Sequence, residues 1–523
     1  MTRKNGNKFP IFLVLFSLIR NFTEVTPARQ FKKKNGNKFP IFLVLFSLIR
    51  NFVAKNQHSN IMEDNKNNNI SRREFLTRLG VSSASAVGLT VLNPYKAFAS
   101  DSAPERLQPK SPLPPDPGKM TYRTTPNTGD EVSLMGFGMM RLPRNGRNID
   151  QELTNKLVDY AIEHGINYFD TAPAYGDSEV ATGIALKRHP REKFYIATKM
   201  SNQHGGTSLE EGKAMYKRSL ERLQVDYIDY YLLHSIGQNG MKDFNPRFID
   251  NGLLDFLVEE RKAGRIRNLG FSYHGNVEVF DWLLDHDDEY NWDFCQIEMN
   301  YIDWRHASLE SSGWKHDADA EYLYNKLSKL DIPAVIMEPL LGGRLAGLPE
   351  EISLQLKQVR PNATDAQWAF RWVGSKPNVL TVLSGMNRMD HLQENIANYS
   401  PLDPCTEEEN ALLESIADQM SGYPTIPCTA CAYCMPCPYG VDIPGNFAYY
   451  NQAVNTKELP LPEKTAPDYA KRAKNFAKGY KKALPKKAWA TRCIDCENCL
   501  SKCPQQIRIP NQMSRITELI AKK

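Results

Sequence analysis

Eight of the ten cysteines in this chain sit in two runs near its C-terminal end. The first is Cys428, Cys431, Cys434 and Cys437, followed by Pro438; the second is Cys493, Cys496, Cys499 and Cys503, followed by Pro504. Two-residue gaps let three successive thiolates converge on one iron–sulfur cube, and a fourth ligand must reach in from elsewhere. Where two such runs lie together, the last cysteine of each ligates the cluster of the other. This predicts one [4Fe-4S] cluster on Cys428, Cys431, Cys434 and Cys503, and a second on Cys493, Cys496, Cys499 and Cys437. Zinc more commonly takes paired Cys-x-x-Cys motifs, and disulfides join loops in small secreted scaffolds. Repeated two-residue gaps ending in Cys-Pro favour iron–sulfur over both. Cys295 and Cys405 read as ordinary buried or loop thiols.

A second set of reactive residues is spread over the middle of the chain. From about Tyr122 to Ser400, short apolar runs alternate with longer amphipathic ones. The candidate strands are Val132–Gly138, Asn167–Thr171, Phe194–Lys199, Tyr227–His234, Ile266–Ser272, Phe294–Asn300, Ile332–Pro339 and Val379–Gly385. Helical patterns separate them, Arg247–Ala263 and Met389–Ala397 among them. Eight strand–helix units imply a parallel sheet of the size of a (β/α)8 TIM barrel, whose chemistry sits at the C-terminal strand ends. Asp170, Lys199 and His234 close three consecutive strands there; Ser272, Gln296, Asn300 and Glu338 lie near the ends of later ones. A Lys beside an Asp stays charged, and its field lowers the pKa of a nearby phenol. Tyr175, just past Asp170, is the expected phenol.

Composition places the chain among globular proteins long enough for two or three domains. Its net charge is +5, with the basic excess in residues 1–61. The mildly acidic remainder gives no reason to expect a nucleic-acid partner. The segment KNGNKFPIFLVLFSLIRNF occurs at 4–22 and again at 34–52; its apolar core, Ile11–Ile19, is too short for a stable membrane span. Translation is expected to begin at Met62. Ser71-Arg72-Arg73-Glu74-Phe75-Leu76 then opens a twin-arginine signal, with a mild apolar stretch to Leu92 and a small-residue cleavage site at Ala97-Phe98-Ala99. Export to the periplasm by the twin-arginine machinery is expected, a route suited to proteins folded around their clusters. Asp101–Gly118 holds six prolines and reads as a stiff linker.

Four segments carry a family resemblance. They are Gly165-Ile166-Asn167-Tyr168-Phe169-Asp170-Thr171-Ala172-Pro173-Ala174-Tyr175-Gly176, Ile196-Ala197-Thr198-Lys199, Asp226 to Ser235, and Gly264 to Ser272. Together they resemble the aldo-keto reductases. The resemblance implies hydride transfer between a nicotinamide, NAD(P)(H), and a small carbonyl or alcohol. It assigns the catalytic tetrad to Asp170, Tyr175, Lys199 and His234, with Tyr175 protonating the carbonyl oxygen and His234 orienting it. It assigns the carboxamide contacts to Ser272 and Gln296, and the adenosine end to Ser384, Gly385, Asn387, Arg388, Glu394 and Asn395. Tyr273 and Met337 depart from the family pattern, and the choice of NADP over NAD is open. Glu338 is expected to bind substrate or to pair with Arg344. The loops Ser201–Ser208, Gly237–Asn245 and Tyr301–Trp314 are expected to set specificity.

The arrangement is similar to an iron–sulfur subgroup of that family with a C-terminal ferredoxin-like domain. Between the cysteine runs, Ala470–Leu484 reads as a lysine-rich helix, so the domain is expected to be small and mainly helical. Lys471, Arg472, Lys474, Lys478, Lys481, Lys482, Lys486 and Lys487 form a solvated face or dock an acidic redox partner. The expected order is leader 1–61, signal 62–100, linker 101–121, barrel 122–400, connector 401–424 and cluster domain 425–523. A hydride carries two electrons and a cluster one at a time, so direct coupling needs a two-electron carrier between them. An iron–sulfur electron-transfer or assembly protein with a non-catalytic barrel is the competing reading.

Overall fold

The computed structural model describes residues 119–146, 148–202, 208–307, 318–460 and 468–521. The duplicated leader, the twin-arginine segment, the linker up to Gly118 and Trp314 lie outside the described residues. Eight parallel strands close into a barrel in sequence order. They are β1 (Met135–Gly138), β2 (Tyr168–Asp170), β3 (Tyr195–Met200), β4 (Ile228–Ile236), β5 (Ile266–Tyr273), β6 (Phe294–Glu298), β7 (Ala334–Met337) and β8 (Val379–Ser384). The ring closes where Val382 of β8 pairs with Met135 of β1. The α/β barrel expected from the strand–helix alternation is therefore present.

The interior is filled by side chains. Tyr168, Tyr230 and Phe294 pack edge-on inside it, with ring centroids 5.0 and 5.2 Å apart. The N-terminal end is plugged by a two-stranded hairpin, Tyr122–Thr124 with Glu131–Ser133. Asp130 of that hairpin accepts from the Tyr230 hydroxyl at 3.1 Å and pairs with Arg267. The run expected as one strand from Val132 is thus split: Val132 and Ser133 belong to the floor, and the barrel strand starts at Met135. The expected helix Arg247–Ala263 is also broken, into a π turn at Asn245–Ile249 and a helix at Leu253–Lys262. Gly252 lies between them at φ 69°, a left-handed conformation glycine adopts without steric cost.

Helix starts follow local signals. Ser208 with Glu211, Thr364 with Gln367 and Thr406 with Glu409 each form a capping box. The last opens a 15-residue helix, Glu407–Ser421, inside the segment expected as a plain connector. Beyond it, the cysteine-bearing region contains helices Ile443–Asn455, Tyr469–Ala483 and Ile509–Ala521 around a core including Phe447, Tyr450, Phe476, Tyr480 and Met513. The Tyr469–Ala483 helix buries Ala473, Phe476, Ala477 and Tyr480 and turns most of its lysines to solvent. Among the described residues, no helix is long and apolar enough to cross a membrane.

Gly270 on β5 has no room for a side chain: a Cβ there would lie 2.3 Å from the Phe294 carbonyl oxygen. Overpacking of this kind costs about 1–3 kcal/mol. Gly270→Val is expected to lower the thermal unfolding midpoint by several degrees, measured by circular dichroism on the full chain.

Candidate functional site

The barrel presents Asp170, Lys199 and His234 at neighbouring strand ends, all nearly inaccessible to solvent. Lys199 Nζ donates to both carboxylate oxygens of Asp170 at 2.6 Å and to the Thr171 carbonyl at 3.0 Å. An ammonium has three protons, so all of them are committed. Gln296 Nε2 donates to Asp170 Oδ2 at 3.4 Å. Burial raises the Asp170 pKa and lowers that of Lys199, with their mutual attraction opposing both shifts.

Tyr175 stands over this pair. Its ring centroid is 5.2 Å from Lys199 Nζ and 5.9 Å, edge-on, from the His234 ring. The structure thus gathers all four members of the expected tetrad. The expected lowering of the Tyr175 pKa is not found. Burial pushes it well above the ordinary phenol value, and the Tyr433 phenol, Asp170 and Glu338 push the same way. With its protons spent on Asp170 and Thr171, Lys199 contributes its field through the ring face and makes no hydrogen bond to the hydroxyl.

His234 is held from both sides. Its Nδ1 is 2.6 Å from Ser201 Oγ, and its carbonyl accepts from Arg247 Nη2 at 2.6 Å. Arg247 also binds the Ser235 carbonyl, Asn202 and Asp243, and is itself buried. Ser235 and Glu338 sit at φ 53° and 52° at the ends of β4 and just past β7. A non-glycine residue in that region costs about 1–3 kcal/mol, and such strain collects at functional sites.

The cluster region lies across the barrel mouth. Tyr433, between Cys431 and Cys434, hydrogen-bonds Tyr175. Arg141, just past β1, donates to the carbonyls of Thr429 at 2.5 Å and Ala430 at 3.3 Å. Arg344 donates to Thr425 Oγ1 at 2.6 Å, so it does not pair with Glu338. Glu338 instead accepts the Gly342 N–H at 2.7 Å and a bond from Thr429. Gln505, two residues past Cys503, donates to both oxygens of Glu298 at 2.7 and 3.0 Å. Burial and the neighbouring Glu338 push the Glu298 carboxyl up to about 8. A cavity of about 810 Å³ remains beside this contact, with Tyr175, Arg144 and Asp243 on the barrel side and Cys431, Tyr433 and Lys502 on the other.

The thiols group across the two runs. The charges bearing on Cys434 are those of Cys431, Cys428, Cys503 and Cys499, in that order. Those bearing on Cys499 are Cys493, Cys496 and Cys437. A cavity of about 340 Å³ is lined by Cys437, Cys493, Cys496 and Cys499. Both runs hold non-glycine residues in the left-handed region at matching offsets, Ala430 and Ala432 in the first, Asp495 and Glu497 in the second. The paired loops therefore share one wrapped backbone. The Ala430 N–H points at Cys428 Sγ (3.4 Å), and backbone N–H groups likewise serve Cys431 and Cys503. Burial pushes the Cys428 and Cys503 thiols up to about 12. The donor set fits iron–sulfur cubes.

A family model described as the aldo/keto reductase family matches residues 134–418. The chain belongs to the aldo/keto reductase family. A second model, a 4Fe-4S dicluster domain, matches residues 427–507. The chain is 26% identical over 327 residues to L-galactose dehydrogenase of Arabidopsis thaliana, covering 57% of this chain and 93% of that protein. It is 27% identical over 322 residues to the NADH-specific methylglyoxal reductase of Escherichia coli, covering 54% and 95%. It is 38% identical over 154 residues to a probable aldo-keto reductase of Glycine max, covering 28% and 42%. For this and other relatives the chain spans about half their length. The holo form of an aldo-keto reductase from Bacillus halodurans superposes with a TM-score of 0.45 at 24% identity, over 57% of this chain and 96% of that one.

Of the expected nicotinamide contacts, Ser272, Gln296 and Asn395 are buried, whereas Gly385, Asn387 and Arg388 are exposed. Ser272 Oγ accepts the Ser235 N–H at 2.8 Å, and Ser272 and Gln296 are buried. Asn395 donates to Ser384 Oγ at 3.1 Å, Glu394 accepts from Thr364 at 2.5 Å, and Arg388 pairs with Asp390 at 2.6 Å. The Arg141 side chain lies beside Gly385, 3.0 Å from where a Cβ would be. Trp304, in one expected specificity loop, packs on Trp372 and under Lys376.

The sequence pattern gave no reason to single out Tyr433, Arg141, Thr429 or Gln505, because their roles arise only when the two regions meet. His274, next to His234 with ring centroids 6.4 Å apart, was also overlooked. Burial lowers its pKa to about 4; the Ser272 carbonyl opposes this, and Lys199 and Arg247 reinforce it. The folded value lies below the ordinary 6.5, so His274 contributes stability above pH 6.5 that is lost as pH falls toward 4. At 1.36 kcal/mol per pKa unit the loss is at most on the order of 3 kcal/mol. Urea unfolding of wild type and His274→Gln between pH 7 and about 4 is expected to show a shallower decline in the variant.

Proposed function

We propose that the chain is an exported oxidoreductase acting on a small carbonyl or alcohol bound in the 810 Å³ cavity at the barrel mouth. The observation that carries this reading is Tyr175, which lines that cavity while standing over the buried Lys199–Asp170 pair and beside His234. Tyr175 exchanges the proton at the substrate oxygen. His234, with its imidazole fixed by Ser201 and its backbone by Arg247, lies edge-on against the Tyr175 ring and positions the phenol. Asp170 neutralises Lys199, which keeps positive charge beneath the phenol without burying it unpaired. Its raised pKa keeps the Tyr175 phenol protonated, the form that donates in the reducing direction, while making it a weaker acid than a free phenol. The relatives' names, a sugar dehydrogenase and a dicarbonyl reductase, support a carbonyl–alcohol couple.

Two [4Fe-4S] clusters complete the reading, one on Cys428, Cys431, Cys434 and Cys503 and one on Cys493, Cys496, Cys499 and Cys437. They supply one-electron redox capacity when bound. Cys431 lines the same cavity as Tyr175, which supports placing that one-electron capacity near the reacting carbonyl, with a two-electron carrier still needed between them. The exposed lysines of the Tyr469–Ala483 helix offer a surface to an acidic redox protein.

Removing the phenolic proton isolates the barrel chemistry. Tyr175→Phe, assayed anaerobically on methylglyoxal and simple aldoses with NADH or reduced methyl viologen as the electron donor, is expected to lose about 10²–10⁴-fold in turnover. Iron and acid-labile sulfide should stay near wild type. Equal turnover in the variant would favour the electron-carrier reading. Export is tested separately: replacing Arg72 and Arg73 by lysine is expected to leave the protein inside the cell, detected by fractionation and immunoblotting.

A further inference from the structure

A dinucleotide using the expected contacts must run from Ser272 and Gln296, on β5 and β6, to Ser384 and Gly385, at the end of β8. The direct path crosses the end of β7. In this structure that crossing is filled by the chain's own backbone. Gly342, just past β7, has φ 66°, and a Cβ there would lie 2.4 Å from Thr429 Cα. The first cysteine loop therefore touches the barrel backbone at this point. Three further contacts fix it there. Arg141 lays its stem over Gly385 and hands its guanidinium to the Thr429 and Ala430 carbonyls. Glu338 bonds Thr429 as well as the Gly342 N–H. Tyr433 completes the seat by hydrogen-bonding Tyr175.

The two ends of a dinucleotide site are thus present and the span between them is occupied. Glycine at 342 is what allows the close approach, since any side chain would meet Thr429 backbone. Arg141, the cation beside Gly385, is spent on two carbonyls of the loop. Glu338 adds a carboxyl at the same crossing, the wrong neighbour for an anionic bridge.

We infer that the seated cysteine loop Thr425–Tyr433 and a nicotinamide dinucleotide are mutually exclusive occupants of the barrel mouth. This rests on the contacts of Thr429, Arg141 and Gly342, and it holds whether or not Tyr175 transfers the proton proposed above. In the seated state no hydride carrier stands at the mouth, so hydride transfer to a carbonyl requires this loop to be displaced.

The test uses the full chain, purified anaerobically with iron and sulfide content verified. NADH and NADPH are each titrated by isothermal calorimetry, with hydrogen exchange of the amides in residues 425–433 followed in parallel. The expected result is a Kd weaker than about 1 mM for both, or binding accompanied by loss of amide protection in that segment. Tighter binding of either nucleotide with the protection unchanged overturns the inference. Because the readout is binding and exchange, a failure here leaves the Tyr175→Phe result standing, and the reverse.

Discussion

The site is organised around one buried ammonium. Lys199 has three protons and gives two to Asp170 and one to Thr171, all inside the barrel wall. Removing either partner would strand a charge away from water, at a cost of several kcal/mol. The pair ties the ends of β2 and β3 together and fixes the floor on which Tyr175 stands. It also explains why the phenol does not become acidic. Proximity of a positive charge lowers a phenol pKa only when it outweighs burial. Here the ammonium is largely neutralised by Asp170, and the phenol is enclosed by Tyr433 and two carboxylates.

The cluster region is then a structural part of the reductase site. It reaches the barrel through hydrogen bonds from Arg141, Arg344 and Gln505, and through the close approach at Gly342. Such contacts are short-ranged and specific, so the region sits in one register on the mouth. The cost includes left-handed backbone at Ala430 and Ala432, about 1–3 kcal/mol each.

Much of the architecture was legible beforehand because it rests on local rules. Strand–helix alternation gave the barrel. Boundaries failed where a distant contact decided them. Val132 joined the floor because Asp130 and its neighbours close the barrel's lower end, and the helix expected from Arg247 broke where that guanidinium turned inward to the β4 carbonyls. Glu338 was readable as an unusual acid in an apolar strand, but its partner Thr429 lies 91 positions away in sequence.

The cysteine spacing and the four barrel motifs by themselves determined which residue types are available, eight thiols and a Tyr–Lys–Asp–His set, because covalent spacing and strand periodicity act over a few residues. The tertiary structure alone decided what faces what: Tyr433 on Tyr175, Thr429 on Gly342, and Arg141 on two loop carbonyls. Those contacts join two independently patterned regions, and no period or motif within either one encodes the orientation of the other.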